Sequence, residues 1–334
     1  MEFYIIGLLI SLAIILVSCE LFTNGIEWLG KMLKLGDGVV GSIFSAIGTC
    51  LPETMIPIIA ILFSGDSKEN VDVGIGAILG APFMLSTLAF FITGLSVLVF
   101  KQRRRTGMEM QVNNSILKRD IGFFIVVYAF GISAAFIDNK LIKNIIAALL
   151  PVLYVYYVLL TVRRDHQSHG SIDALYLKKY LNLPTTGPVV AVQISLALLG
   201  IVFGAELFVG NIRDTSHLFG ISPLVLSLII TPIATELPEK FNSIIWIAKK
   251  KDTLALGNIT GAMVFQSCIP VSIGIIATSW ELDGKALISA LIAVASASLT
   301  YLWIAAKEKL TPAPLLAGGA FYAIFIFLLI RIYF

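Results

Sequence analysis

An all-α membrane protein is the fold class that this sequence predicts, with ten transmembrane helices forming two inverted five-helix repeats and broken helices at positions two and seven. Three observations carry the prediction. First, 57% of the 334 residues are hydrophobic, only 13% are charged, and mean hydropathy is +0.92. Soluble domains run at about 45–50% apolar and about 25% charged, so too little charge remains to cover a water-facing surface of this size. Second, charge, Gly and Pro divide the chain into ten apolar runs near the ~20 residues a spanning helix needs. They centre on Ser11, Leu51, Met84, Val127, Tyr154, Leu198, Ala234, Val264, Ala293 and Phe325. Third, the last five runs repeat the first five.

The run from Phe3 to Phe22 reads as the first span. A secretory signal needs a positive leading segment, whereas this chain starts Met1-Glu2 and the run continues into helix-like sequence from Gly25 to Leu33. Glu20-Leu21-Phe22 recurs as Glu206-Leu207-Phe208 at an offset of 186, and Thr49, Leu51, Pro52 and Glu53 recur at the same offset as Thr235, Leu237, Pro238 and Glu239. In spans three and eight, Gly76 and Gly80 recur as Gly257 and Gly261 at an offset of 181. Small residues four apart let helices approach closely, which would press these spans against the second and seventh. An odd number of spans per half sends the second half into the membrane from the opposite side, an architecture of transporters whose site lies near the midplane.

These readings divide the chain into a first repeat (1–162), a connector (163–186) and a second, inverted repeat (187–334). The basic stretch from Lys101 to Arg119 reads as a loop. Six Lys and Arg fall on the side of the N-terminus (Lys68, Lys140, Lys143, Arg213, Lys285 and Arg331), seventeen fall on the other, and Lys240 lies within a span. Positive loops stay cytoplasmic, so a multi-pass protein of the plasma membrane with both termini outside is expected. Three Cys within apolar runs make no disulfide scaffold, three His leave little for a histidine-rich metal site, and a net charge of +3 spread over loops is no nucleic-acid stripe.

Five carboxylates fall inside predicted spans: Glu20, Glu53, Glu206, Glu236 and Glu239. An acidic residue at the centre of a span costs about 2.5–3.5 kcal/mol, so five without compensation would cost on the order of 12–18 kcal/mol, more than typical net stability. They must meet cations, protons or hydrogen-bond donors. Glu53 and Glu239 each follow a Leu-Pro pair. Proline removes a helix hydrogen bond and pushes the preceding residue from α geometry, and lipid offers no partner to the freed carbonyls around 47–50 and 233–236. A metal ion does. Two carboxylates with carbonyl and hydroxyl oxygens make a hard site that suits Ca²⁺ and, with other geometry, Na⁺, Mg²⁺ or Mn²⁺. The competing reading, Pro kinks with Glu satisfied by nearby Ser or Thr, has to hold twice at matched positions. On span eight, Asn258, Thr260 and Gln266 are either oxygen ligands or plain interhelical hydrogen-bonders.

Gly48-Thr49-Cys50-Leu51-Pro52-Glu53 and Ala234-Thr235-Glu236-Leu237-Pro238-Glu239 resemble the paired Gly-Thr-Ser-X-Pro-Glu signatures of the calcium/cation antiporter superfamily, the sodium/calcium exchangers and their relatives. The resemblance spans both halves. It implies a central ion site with Glu53 and Glu239 as ligands and backbone oxygen from Thr49 and Thr235. It also implies alternating access, with spans one and six sliding against the rest, and calcium moving outward against an inward ion gradient. The departures are specific. The signature Ser is Cys50 in one half and Glu236 in the other. The family's Gly-Asn-x-x-Gly-Ser-Asn-x-x-Asn/Asp pattern has Ala81 and Ala262 for its Ser, Pro82 and Met263 for the next Asn, and Leu85 and Gln266 at its end. Family members hold sodium with those groups, so a multi-sodium stoichiometry does not carry over, and the balance shifts to H⁺ or fewer Na⁺.

Lys240 stands four residues after Glu236, the favoured order for a helical ion pair. It either takes the electrostatic place of a transported monovalent ion or snorkels to the surface. Glu20 and Glu206 are either access-path ligands and proton carriers, or structural groups bonded to neighbours such as Thr23, Asn24 or Asn211. The function expected is secondary antiport of a divalent cation, Ca²⁺ first, for Na⁺ or H⁺, with Mg²⁺ or Mn²⁺ as cargo on the same fold as the alternative. No GxxxxGK[ST] phosphate loop is present, which argues against direct coupling to ATP. A cation channel is disfavoured by the single-chain inverted repeat, and an enzyme by the lack of serine/histidine or metal-hydrolase spacing. The expected partners are inorganic cations and the lipid bilayer, with no cofactor and no nucleic acid; oligomeric state is open, and a monomer is compatible with the sequence.

Overall fold

A computed structural model describes residues 2–33, 50–65, 67–104, 107–162 and 174–333, without the side chains of 2, 3, 103, 162, 237–242, 332 and 333. The described helices are α1 (Glu2–Met32), α2 (Leu51–Leu62), α3 (Lys68–Phe100), α4 (Asn114–Ser133), α5 (Lys140–Val162), α6 (Tyr176–Leu181), α7 (Gly187–Phe219), α8 (Pro223–Ala248), α9 (Asp252–Ala277), α10 (Gly284–Lys307) and α11 (Pro312–Tyr333). Eight of them are long and apolar enough to cross a membrane. The second and seventh predicted spans correspond to α2 and α8, whose apolar stretches among the described residues are Leu51–Leu62 and Pro223–Glu236. The ten centres expected from sequence each fall inside a helix.

Contacts between loops sort cleanly onto two faces. On one face the Lys143 ammonium donates to the Ser279 carbonyl at 2.6 Å, and His217 meets Glu69 at 3.1 Å. On the other, Met110 bridges Leu310, Lys309 approaches Glu109 at 3.8 Å, and Arg104 pairs with Asp252 in a fully buried ion pair. Asp252 also accepts from the Gln111 N–H at 2.7 Å, which ties the loop after α3 to the start of α9. This second face is the basic one.

Helices α1 and α7 pack along each other in antiparallel fashion. A side chain on Gly7 would strike Asn211, one on Gly204 would strike Ile15, and one on Gly25 would strike Ile194. The offset of 186 carries Gly7 to Gln193 and Gly25 to Asn211, so the Gly7–Asn211 approach and the Gly25–Gln193 approach are one contact seen from each half. That exchange is the signature of an inverted repeat. The pair joins the rest through a small apolar cluster that includes Ile15, Ile56, Val73, Ile201 and Phe208, while the larger core is built by α3, α4, α5, α8, α9, α10 and α11.

Helix α3 starts at Ser67, whose hydroxyl accepts from the Asn70 N–H at 3.2 Å, an N-cap that satisfies one orphan donor. Pro82 removes an N–H within the span, and three residues later Leu85–Ala89 forms a π turn. Hydroxyls close the exposed carbonyls: Ser86 donates to Pro82 O at 2.8 Å, Thr87 to Phe83 O at 2.5 Å, and Ser296 of α10 to Ser86 O at 2.6 Å. In lipid such local re-satisfaction is what makes a Pro-bearing span tolerable.

Helix α8 corrects one expectation. Its backbone stays helical from Pro223 to Ala248, through both Pro232 and Pro238, where the sequence predicts a break. A proline deletes one hydrogen bond without forcing the chain out of helical φ, so Leu228 and Ala234 lose their carbonyl partners while the helix continues.

Candidate ion site

Helix α2 begins inside the protein. Leu51, Pro52 and Glu53 form its first turn, where a missing proline N–H is one of the unpaired donors in any case. Thr54 closes the turn, its hydroxyl donating to Cys50 O at 2.7 Å and its N–H to the same oxygen at 3.2 Å. Glu53 is 3% exposed. At a helix start the macrodipole favours a negative charge. Cys50, also buried, is the N-cap and makes no capping bond with its side chain. Thr49 lies outside the described residues.

Helix α2 touches α3, α7, α8 and α9, which brings the two signature-bearing helices together. On α8, Ser227, Thr231 and Thr235 stand four apart and are fully buried. Ser227 donates to Val73 O at 2.7 Å, lies 3.0 Å from the Thr231 hydroxyl, and Thr235 donates to Thr231 O at 3.0 Å. The Thr235 hydroxyl proton is therefore spent on its own helix. The carbonyl that Pro238 frees belongs to Ala234, one residue before the Thr235 oxygen expected from the resemblance. Glu236 is buried at 2% exposure. The side chains of Glu239 and Lys240 are outside the described set, but continuous helix across 236–240 places positions 236, 239 and 240 on one face.

Gly76 and Gly80 explain how α3 meets α8. A methyl group at Gly76 would overlap the Leu224 carbonyl, and one at Gly80 would overlap the Leu228 carbonyl, the one that Pro232 leaves free. Among the described residues nothing stands within 4 Å of where a side chain on the counterparts Gly257 and Gly261 would start. Ala77 and Ala81 are buried packing residues.

On α9, Gln266 is wholly buried and, among the described residues, neither its amide nitrogen nor its amide oxygen has a hydrogen-bond partner. A buried amide left so is costly. Asn258 is half-buried. Thr260 is an interhelical bonder, its hydroxyl donating to Asp120 of α4 at 3.1 Å. Asp120, 3% exposed, also accepts from Arg119 at 2.8 and 3.0 Å.

Glu20 and Glu206 both lie at exposed positions. Glu20 accepts from the Tyr176 hydroxyl at 2.6 Å, so its bonding partner comes from the connector. The neighbours expected to hold these acids are engaged elsewhere: Thr23 with Cys19 O at 2.9 Å, and Asn211 with Leu207 O at 2.7 Å. Among the described residues no three His, Cys, Asp or Glu side chains converge as a metal cluster.

Sequence reasoning missed Ser227 and Thr231, although hydroxyls at every fourth position leading up to Thr235 are a readable pattern. It also missed Asp120, which abuts the basic loop and looks like part of it.

The sodium/calcium exchanger protein family profile matches residues 3–163 and 189–334. Inner membrane protein YrbG of Escherichia coli (strain K12) is 25% identical over 280 residues, covering 83% of this chain and 80% of that protein. Among solved structures, the H⁺/Ca²⁺ exchanger CAX superposes with a TM-score of 0.71 at 18% identity, covering 99% of this chain and 82% of CAX. The sodium-calcium exchanger NCX_Mj superposes at 0.56 with 22% identity and 98% coverage of both chains. At those identities the structural likeness speaks for the fold. With both halves matched by the profile, the chain belongs to the sodium/calcium exchanger protein family, as a multi-pass membrane transporter and not an enzyme.

Proposed function

We propose that this protein is a secondary antiporter that exports a divalent cation, Ca²⁺ first, in exchange for H⁺ or Na⁺ by alternating access. The observation that carries the reading is the pair of Leu-Pro-Glu segments at matched positions, one of which starts α2 with a buried Glu53. Glu53 and Glu239 supply two negative charges, and the Ala234 and Thr235 carbonyls and the Gln266 amide supply neutral oxygen. Hard oxygen donors of this kind match Ca²⁺.

The same two charges explain obligatory exchange. An empty site would carry two uncompensated carboxylates through the bilayer interior, at about 2.5–3.5 kcal/mol each, which lowers that population by roughly 10⁴–10⁵. Loaded with one divalent cation, or with two monovalent cations or protons, the site is neutral and can reorient. The α1–α7 pair, 31 and 33 residues long and joined to the rest through the smaller apolar cluster, is the element that slides. The basic face is the cytoplasmic side of the plasma membrane, which puts both termini outside.

The test is ⁴⁵Ca²⁺ uptake into proteoliposomes under imposed H⁺ or Na⁺ gradients, with Mg²⁺ and Mn²⁺ as competitors. Uptake that saturates, needs a counter-ion gradient and disappears in Glu53→Gln and Glu239→Gln is expected. Flux without counter-ion would make the protein a channel, and activity that survives loss of both acids would overturn the site. Stronger competition by Mn²⁺ or Mg²⁺ than by unlabelled Ca²⁺ would reassign the cargo.

A further inference from the structure

We infer that α6 and its flanks form an interfacial clip that rides on the α1–α7 pair and binds anionic phospholipid headgroups. The inference goes beyond ion exchange and stands on different residues.

The first N–H groups of a helix have no intrahelical acceptor. In α6 they are taken by side chains from two distant helices: Asn24 of α1 accepts from the Tyr176 N–H at 3.1 Å, and Gln193 of α7 accepts from the Leu177 N–H at 3.0 Å. The Gln193 amide nitrogen then bridges back, donating to the Asn24 side-chain oxygen at 3.0 Å and to Leu21 O at 2.9 Å. Asn24 and Gln193 are 4% and 2% exposed, and Leu175, beside them, is fully buried. One polar network thus holds the connector to both helices of the pair, so any motion of the pair carries α6 with it.

Depth places the clip at the bilayer surface. Asn24 lies eight residues before the end of α1 and Gln193 six residues after the start of α7, or about 12 Å and about 9 Å at 1.5 Å per residue. Beyond them, Val17, Leu196 and Leu199 show 56–67% exposure, an apolar face for lipid. The headgroup and acyl boundary, about 5–10 Å deep, is where amphipathic segments lie.

The outward side of α6 matches that environment. Tyr180 is 71% and Leu181 63% exposed. Lys178 and Lys179, in the same turn, are exposed too and, among the described residues, neither forms an ion pair. The Lys179 ammonium sits over both the Tyr176 and Tyr180 rings, at 5.9 and 5.4 Å. An amphipathic ring at headgroup level with two ammonium groups beside it suits an anionic headgroup, and each lysine near such a surface strengthens attraction about fivefold.

The test labels the clip itself. The native thiols are buried, so Leu181→Cys in the full-length protein takes a fluorophore selectively in nanodiscs. Quenching by spin-labelled phosphatidylglycerol is compared with quenching by spin-labelled phosphatidylcholine. We expect both lipids to quench, with phosphatidylglycerol favoured at low salt. We expect that preference to fall about 30-fold in Lys178→Gln/Lys179→Gln and to survive in Lys178→Arg/Lys179→Arg. Absence of quenching, equal quenching by the two lipids, or a preference that persists without the lysines overturns the inference. None of these readouts requires ion flux, so failure of transport would leave the lipid result standing, and the reverse.

Discussion

Gln266→Leu should make the ion-free protein more stable and its ion binding weaker, two effects of opposite sign from one side chain. Gln266 is wholly buried with both amide atoms unbonded among the described residues, and an unsatisfied buried polar group costs about 1–3 kcal/mol. Leucine matches its volume closely, and volume-conserving swaps cost little. The first repeat already tests the fit, since the equivalent position on α3 is Leu85, also fully buried. The ion-free variant should therefore gain about 1–3 kcal/mol. If the amide oxygen completes the cation site, its loss removes a contact to a charge worth about 1.5–3 kcal/mol, or about 10–100-fold in affinity. At Ca²⁺ one hundred times the wild-type Kd, ligand stabilisation should drop from about 2.7 kcal/mol to between about 1.4 and 0.4 kcal/mol. The assay is retention of the monodisperse peak in size-exclusion chromatography after heating in detergent, with chelator and with Ca²⁺. A variant that is less stable in chelator and shifts as far as wild type with Ca²⁺ would show that the amide is a bonded packing group.

Further perturbations test two contacts away from that amide. Gly80→Ala puts a methyl group against the Leu228 carbonyl and should cost about 1–3 kcal/mol as overpacking. Gly210→Ala, with open space around it, should gain up to about 1 kcal/mol from helix propensity; equal effects in the heating assay would refute the tight α3–α8 approach. Arg104→Ala leaves Asp252 buried and unpaired and should cost about 3–5 kcal/mol, while Arg104→Met/Asp252→Leu should recover most of it. A double variant no more stable than the single one would show that the pair does more than compensate its own burial.

Fold class was legible because the bilayer restricts the options. Length and hydropathy locate spans such as α5 and α11 almost by themselves, and the matched Leu-Pro-Glu segments disclose the repeat. Helix continuity at Pro238 was not legible, because a proline deletes a hydrogen bond in either outcome and only packing decides whether the chain also bends away. The π turn at Leu85–Ala89 was not legible either, since one of its carbonyls, that of Ser86, is satisfied by Ser296, a residue 210 positions away. Glu53 was legible as a charge with no business in lipid. Asp120 was not, since a charge next to Lys118 and Arg119 looks like loop until α9 is seen to cover it. The partner of Glu20 was not legible for the converse reason: Tyr176 comes from the connector, which composition marks only as polar.

The halves agree in their packing and differ in their oxygen donors. Gly7 against Asn211 and Gly25 against Gln193 repeat one contact, yet α3 offers buried Ala81, Pro82 and Leu85 where α9 offers Ala262, Met263 and Gln266. A site with so few neutral donors has little room for several sodium ions beside a divalent one, which makes Lys240 the telling residue. Continuous helix sets Lys240 one turn after Glu236, the order in which the two charges attract. If the ammonium compensates Glu236 in every state, the exchanged charge rests on Glu53 and Glu239 alone, and two monovalent ions replace each divalent one. Removing it in Lys240→Ala leaves Glu236 to be compensated by a transported ion, so reversal potentials in proteoliposomes should report about one more coupled monovalent ion per Ca²⁺, with ion-free stability lowered at the same time. An unchanged ratio would mean that the lysine head lies at the surface and that Glu236 is held by neutral hydrogen-bond donors instead.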